Sequence, residues 1–142
     1  MKLIQILIFT LLGCLGTWAQ NPATSAPKIV CEKPEFDFGT SDNTQTIVHE
    51  YEVKNAGDLT LEIKQVRPSC GCTVAEISQR TLKPGETATI KASLNLSGRA
   101  GRQEKHIMVE SNDPQTPTLI LGLRGDIKQD FAVTPERLTP GQ

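Results

Sequence analysis

The chain predicts an all-β fold: an antiparallel β-sandwich of about seven short strands in two facing sheets. Three observations point there. Apolar residues recur at every second position, turn-forming residues interrupt the alternation at short intervals, and no stretch carries an apolar stripe at the helical spacing of ~3.6. A closed barrel fits so few strands less well. Aromatic residues make up only 4% of the chain, so leucine, isoleucine and valine must supply most of the interior.

Residues 1–19, MKLIQILIFTLLGCLGTWA, begin with Lys2, continue through an apolar stretch from Leu3 to Leu15, and end on Thr17, Trp18 and Ala19. A basic start, a short apolar centre and a small-x-small exit form a secretory signal with cleavage after Ala19. The stretch falls short of the ~20 residues a spanning helix needs. Leu11, Leu12, Gly13 and Cys14 offer a rival reading as a lipoprotein box with a lipid anchor at Cys14. The leucine beside the glycine and the apolar run after Cys14 disfavour it. The expected location is periplasmic or extracellular.

Residues 20–28 are rich in small residues and proline and read as a flexible lead-in to a domain at 29–127. In KIVCEKPEFDFG, two extended pieces are divided by Pro34, which cannot donate to a ladder and so belongs at an edge or a sheet crossing. TIVHEYEVK places Ile47, His49, Tyr51 and Val53 on one face and Glu50 and Glu52 on the other. NAGD at 55–58 is a turn, with Asn55 and Gly57 suited to left-handed backbone angles. LTLEIKQV aims Leu59, Leu61 and Ile63 inward. LKPGET turns into TATIKASLNL, whose Ala88, Ile90, Ala92, Leu94 and Leu96 share a face. After the SGRAGR loop, Ile107 and Val109 point in from a strand closed by SNDP at 111–114. TLILGLRG ends the domain with Leu119, Leu121 and Leu123. Residues 128–142 echo the opening strand pattern, as a tail or as the start of a second, truncated domain.

Fifteen basic residues against sixteen acidic ones leave no excess charge to hold nucleic acid, so nucleic-acid binding is disfavoured. The chain has no HExxH, GxSxG, phosphate-cradling glycine loop or calcium-loop spacing. Arg99, Arg102 and Lys105 in GRAGRQEK would suit an acidic partner, though solvated loop charge explains them as well.

From Phe36 to Gly125 the order FDFG, KNAG, LTLEI, PSCGCTV, LKPGE, GRQEKHIMVESNDP and LRG resembles the bacterial family called domain of unknown function 1573. The resemblance implies an immunoglobulin-like sandwich following an export signal. It implies no activity, and it gives Cys31 no role.

The most reactive triplet is Cys70, Gly71 and Cys72. In an extended strand the two cysteine α-carbons would stand roughly 6.5 Å apart, beyond the ~5.5–6 Å a disulfide prefers, so the pair closes only if the chain bends, and Gly71 permits a bend. Four readings stand. The thiols are small apolar fillers; or they form a structural or redox disulfide, with each other or with Cys31; or they bind a soft metal together with donors such as His106 and Met108; or one is a catalytic nucleophile, its thiolate favoured by nearby Arg67. His106 and Met108 should face solvent, opposite Ile107 and Val109, and His49 reads as a core histidine.

No catalytic residue, cofactor or metal is assigned. The expectation is an exported, non-enzymatic module that binds envelope proteins through an edge strand. The alternative is a redox or soft-metal module using Cys70 and Cys72.

Overall fold

The structure is a computed structural model and describes residues 25–128. The expected leader at 1–19, its cleavage point, the alternative anchor at Cys14, the start of the lead-in and nearly all of the 128–142 segment lie outside the described residues.

Where the sequence alternates, strands form. They are β1 (Ile29–Val30), β2 (Glu35–Asp42), β3 (Thr46–Asn55), β4 (Leu61–Pro68), β5 (Thr73–Ile77), β6 (Thr81–Leu82), β7 (Thr87–Asn95), β8 (Gly101–Ser111) and β9 (Thr118–Lys128). Nine strands replace the expected seven because the segment between the cysteine triplet and the LKPGET turn adds two short strands, β5 and the two-residue β6. No helix long and apolar enough to cross a membrane occurs among the described residues.

The first sheet runs β1-β3-β7-β5 and the second β2-β9-β8-β4-β6. Pro34 does mark a sheet crossing, since β1 pairs with β3 in one sheet and β2 with β9 in the other. The β2–β9 pair is parallel, a departure from the antiparallel expectation. It arises because the chain changes sheets between β1 and β2 without reversing. A bulge at Gly39, with φ +67°, breaks the register of β2.

The inward faces meet in one apolar cluster that includes Val53, Leu61, Ile63, Ile90, Leu94, Leu96, Ile107, Val109, Leu121 and Leu123. Fully burying each such side chain is worth ~1.5–3 kcal/mol relative to exposure, so this layer holds the sheets together. Leu59 departs from expectation. It precedes β4 and is 49% exposed, because the strand that fixes the alternation starts only at Leu61.

Two buried polar residues fasten the connections. Asn55 is fully buried. Its side-chain oxygen accepts from Lys28 N at 3.3 Å and Gly57 N at 3.0 Å, and its amide donates to the Leu59 and Leu82 carbonyls at 2.8 and 2.9 Å. Asp113 accepts from the Ile29, Gln115 and Thr116 amides at 2.9, 2.8 and 3.1 Å. Burial alone would raise the Asp113 carboxyl; these bonds, with Lys28 nearby, outweigh it and hold the group below the usual carboxylate range.

The NAGD turn works differently from the expectation. Neither Asn55 nor Gly57 has positive φ. Asn55 acts through its side chain. Gly57 is required because a β-carbon there would run into the backbone of Ala26–Lys28. The same contact ties down the end of the lead-in, since Ala56 N donates to Lys28 O at 2.8 Å and Asp58 N to Ala26 O at 3.1 Å.

Candidate functional site

β4 lies in the second sheet and β5 in the first, so residues 69–72 form the corner where the chain changes sheets. Thr73 N closes the turn on Cys70 O at 3.3 Å, and Ser69 and Asn95 anchor its ends: Ser69 N donates to His106 O at 2.8 Å and Asn95 N to Cys72 O at 3.0 Å. This bend brings the cysteine α-carbons to 5.3 Å, and Cys70 and Cys72 are joined as a disulfide. Gly71 is exposed, its φ is not positive, and a β-carbon on it would meet nothing. The bend is therefore set by the strand ends, not by glycine freedom, contrary to expectation.

Both cysteines are half-buried, and Cys72 packs against the core. Thr73 is buried, and its hydroxyl lies 3.6 Å from Cys70 Sγ and 3.9 Å from Cys72 Sγ. Beside Cys72, on the outer face of the first sheet, an open groove of about 400 Å³ is lined by Thr46, Gly71, Val74, Ser93, Asn95 and Arg99. Arg99 Nε donates to Asn95 O at 3.2 Å, which fixes the guanidinium stem at the groove. Val74, 57% exposed, and Val48, 51% exposed, flank Ser93 across neighbouring strands.

The other sequence candidates lie elsewhere. Cys31 is a free thiol beside Glu52. Burial pushes it up, and Glu52 and Glu32 push the same way against a backbone bond at Lys33, so it stays protonated near neutrality. Glu52 lies six residues along β3 from Thr46, which lines the groove beside Cys72, a span of roughly 20 Å at ~3.3 Å per residue, so Cys31 cannot partner Cys70 or Cys72. Arg67 pairs with Met108 on the outer face of the second sheet, where Met108 is exposed as expected but His106 is only partly so, its Nδ1 buried without a hydrogen-bond partner among the described residues. Among the described residues no group of three or more His, Cys, Asp or Glu could hold a metal ion. While the two sulfurs are bonded to each other, they offer no thiolate ligand.

His49 stacks on Phe36 at 3.7 Å between ring centroids and meets Tyr51 edge-on at 4.7 Å. Burial pulls its imidazole below the usual value against the opposing pull of Glu50, so it is a neutral packing element.

A second feature lies on β3. Leu96 N donates to Gln45 O and Asn55 N to Glu86 O at the two ends of the β3–β7 ladder. Because bonded positions alternate along an antiparallel pair, odd residues of β3 turn their backbone groups to β7 and even ones turn away. β1 covers only Lys54 and Asn55, so among the described residues the outward N–H and C=O groups of Val48, Glu50 and Glu52 have no strand beside them. An open groove of about 590 Å³ runs there, lined by Val30, Cys31, Glu32, Lys33, His49 and Glu52 among others.

Two sheets of this connectivity, with a first strand divided between them, define an immunoglobulin-like sandwich of the PapD-like type. Residues 29–127 match the family described as protein of unknown function DUF1573, and the chain belongs to that family. A Porphyromonas gingivalis W83 protein of unknown function is similar at TM-score 0.65 and 20% identity, over 72% of this chain and 49% of that one. The chain thus spans about half of that relative's length. The PapD-like domain 7 of human CEP192 is similar at TM-score 0.57 and 15% identity, over 74% of this chain and 88% of that one. The periplasmic chaperone SfaE is similar at TM-score 0.51 and 10% identity, over 76% and 61%. At these identities the likeness is one of fold. No curated protein matches the sequence.

Proposed function

We propose that the domain is an exported, non-enzymatic protein-binding module that accepts an extended segment of an envelope protein along the free edge of β3. Export is read from the leader, with Lys2, the apolar Leu3–Leu15 stretch and Ala19. The observation that carries the binding role is the ladder edge at Val48, Glu50 and Glu52, left without a strand among the described residues and bordered by an open groove of about 590 Å³. An exposed edge of this kind adds a partner strand by main-chain hydrogen bonds, while alternate side chains supply specificity. Glu50 and Glu52 are exposed on β3 and line the groove themselves, so the partner strand carries basic residues facing them and apolar ones at the alternate positions.

Titrating the domain with a synthetic peptide of alternating valine and lysine, with amide hydrogen exchange read by NMR, tests this. The expected result is slowed exchange at Val48, Glu50 and Glu52. It should be lost in Glu50→Pro, which removes an outward N–H and leaves the β7 ladder whole. Binding without protection at these three amides would overturn the proposal.

A further inference from the structure

The corner disulfide is placed to act as well as to brace. We propose that Cys70–Cys72 is a thiol–disulfide exchange site that oxidises a protein dithiol presented on an extended segment, one equivalent per chain. This role is separate from binding at β3.

Four observations converge. The disulfide closes a ring of only three residues, so it restricts the unfolded chain little, and bracing alone is a weak reason for it. It sits on a surface turn, with Gly71 exposed between the sulfurs. Of the two cysteines only Cys72 lines the neighbouring groove, which gives an attacking sulfur one side of approach. The thiolates produced by exchange have favourable neighbours: the buried Thr73 hydroxyl stands 3.6 Å from Cys70 Sγ, and the Arg99 side chain lines the groove with Cys72. A hydrogen-bond donor or a cation beside a sulfur favours its thiolate and makes it a better leaving group.

The chemistry balances as follows. A substrate thiolate attacks Cys72 Sγ from the groove and forms a mixed disulfide. The Cys70–Cys72 bond breaks with its electron pair on Cys70 Sγ, which leaves as a thiolate facing the Thr73 hydroxyl. The second substrate thiol, after losing its proton to solvent, attacks the substrate sulfur of the mixed disulfide and expels Cys72 as a thiolate beside Arg99. The substrate dithiol loses two electrons and becomes a disulfide. The Cys70–Cys72 pair gains both and becomes a dithiol once it takes up protons. Val74, exposed beside Cys72, suits a substrate with an apolar residue next to its cysteine.

The test incubates the oxidised protein anaerobically with a reduced synthetic peptide containing two cysteines and an apolar neighbour. Free thiols are then alkylated and mapped by mass spectrometry. The expected result is one peptide disulfide formed per chain and both Cys70 and Cys72 newly alkylated. In a second arm, Cys70→Ser and Cys72→Ser are each offered a peptide disulfide, with the adduct expected on Cys72 of the first and little on Cys70 of the second. Arg99→Gln, whose side chain lies outside the core, should slow exchange about threefold, the effect of a one-unit thiol pKa change at a Brønsted slope near one half. A peptide left reduced beside an intact disulfide, an adduct preference for Cys70, or an unchanged rate in Arg99→Gln with the fold retained would each overturn the proposal.

Discussion

Tyr51 on β3 donates its phenol hydrogen across the sandwich to the Gly122 carbonyl on β9 at 2.7 Å. Tyr51 is buried, and a β-carbon at Gly122 would displace only the carboxylate end of the exposed Glu35 side chain. One hydrogen bond thus links the two sheets at the point where β2 begins to pair with β9. Tyr51→Phe removes this hydrogen bond and should lower unfolding free energy by about 0.5–1.5 kcal/mol in urea titration, with no change in fold.

The same phenol supplies a pH prediction. Burial first, then the charges of Glu35 and Cys31, push its ionisation far above that of free tyrosine. A group whose native pKa is raised contributes stability that is complete below the unfolded value, near 10, and is lost as pH rises beyond it. Tyr51 is the chain's single tyrosine, so tyrosinate absorbance reports it alone. Tyrosinate should appear together with unfolding, well above the pH expected of an exposed tyrosine.

Asn55 satisfies four backbone groups at once, reaching the lead-in, its own turn and β6. Asn55→Asp would set a carboxylate against the Leu59 and Leu82 carbonyls in place of two donors. The expected loss is about 3–5 kcal/mol, the scale of an uncompensated buried charge. Thermal unfolding should show Asn55→Asp falling well below Asn55→Ala.

The sequence and the structure part company for physical reasons. Strict alternation made the β7 face legible, and Ala88, Ile90, Ala92, Leu94 and Leu96 are all buried as expected. Leu59 broke the rule because alternation extends a pattern past the residue where the strand begins. Asn55 and Asp113 carry no periodic signal, since their partners reach 27 and 84 residues away. At the corner, the cysteine pair was visible as a triplet but its neighbours were not. Arg67 is close in sequence and faces the other sheet's outer side, whereas Arg99 arrives at the groove through the pairing of β5 with β7. Thr73 was the readable one, directly beside Cys72 in PSCGCTV, but its burial depended on the fold.

Asp113 contributes to the domain's stability toward acid. Its native carboxyl is depressed by backbone donors, so its contribution is complete above the unfolded pKa, about 3.9, and is lost as pH falls through the lower native value. Asp113→Asn lacks this titration. The gap in melting temperature between wild type and variant, measured at pH 7 and at pH 3, should therefore narrow at pH 3.

Replacing both Cys70 and Cys72 with serine should cost little, because the disulfide closes only three residues. The chain-entropy relation gives about 1.6 kcal/mol for such a loop, against about 3 kcal/mol for one of fifteen residues. Peptide binding at the β3 edge should survive, since Thr46 is the nearest part of β3 to the corner and Val48–Glu52 lie farther along it. Loss of β3-edge binding in a folded double-serine protein would join the two sites into one.

Gly57 and Gly71 make opposite demands although each sits in a turn. A β-carbon at Gly57 runs into the Ala26 carbonyl and the Lys28 amide, which are rigidly held by the Asn55 cluster, so the strain cannot be relieved by moving a flexible side chain. Gly57→Ala should therefore either detach the lead-in from the 55–58 turn or destabilise the domain by about 1–3 kcal/mol, the usual cost of forced overpacking. Gly71→Ala meets open space at an ordinary φ and should fall within about 0.5 kcal/mol of wild type, as surface substitutions do. Paired chemical denaturation of the two variants checks this. A Gly71→Ala cost as large as that of Gly57→Ala would mean that the corner depends on glycine's backbone freedom, contrary to the strand-end anchoring at Ser69 and Asn95.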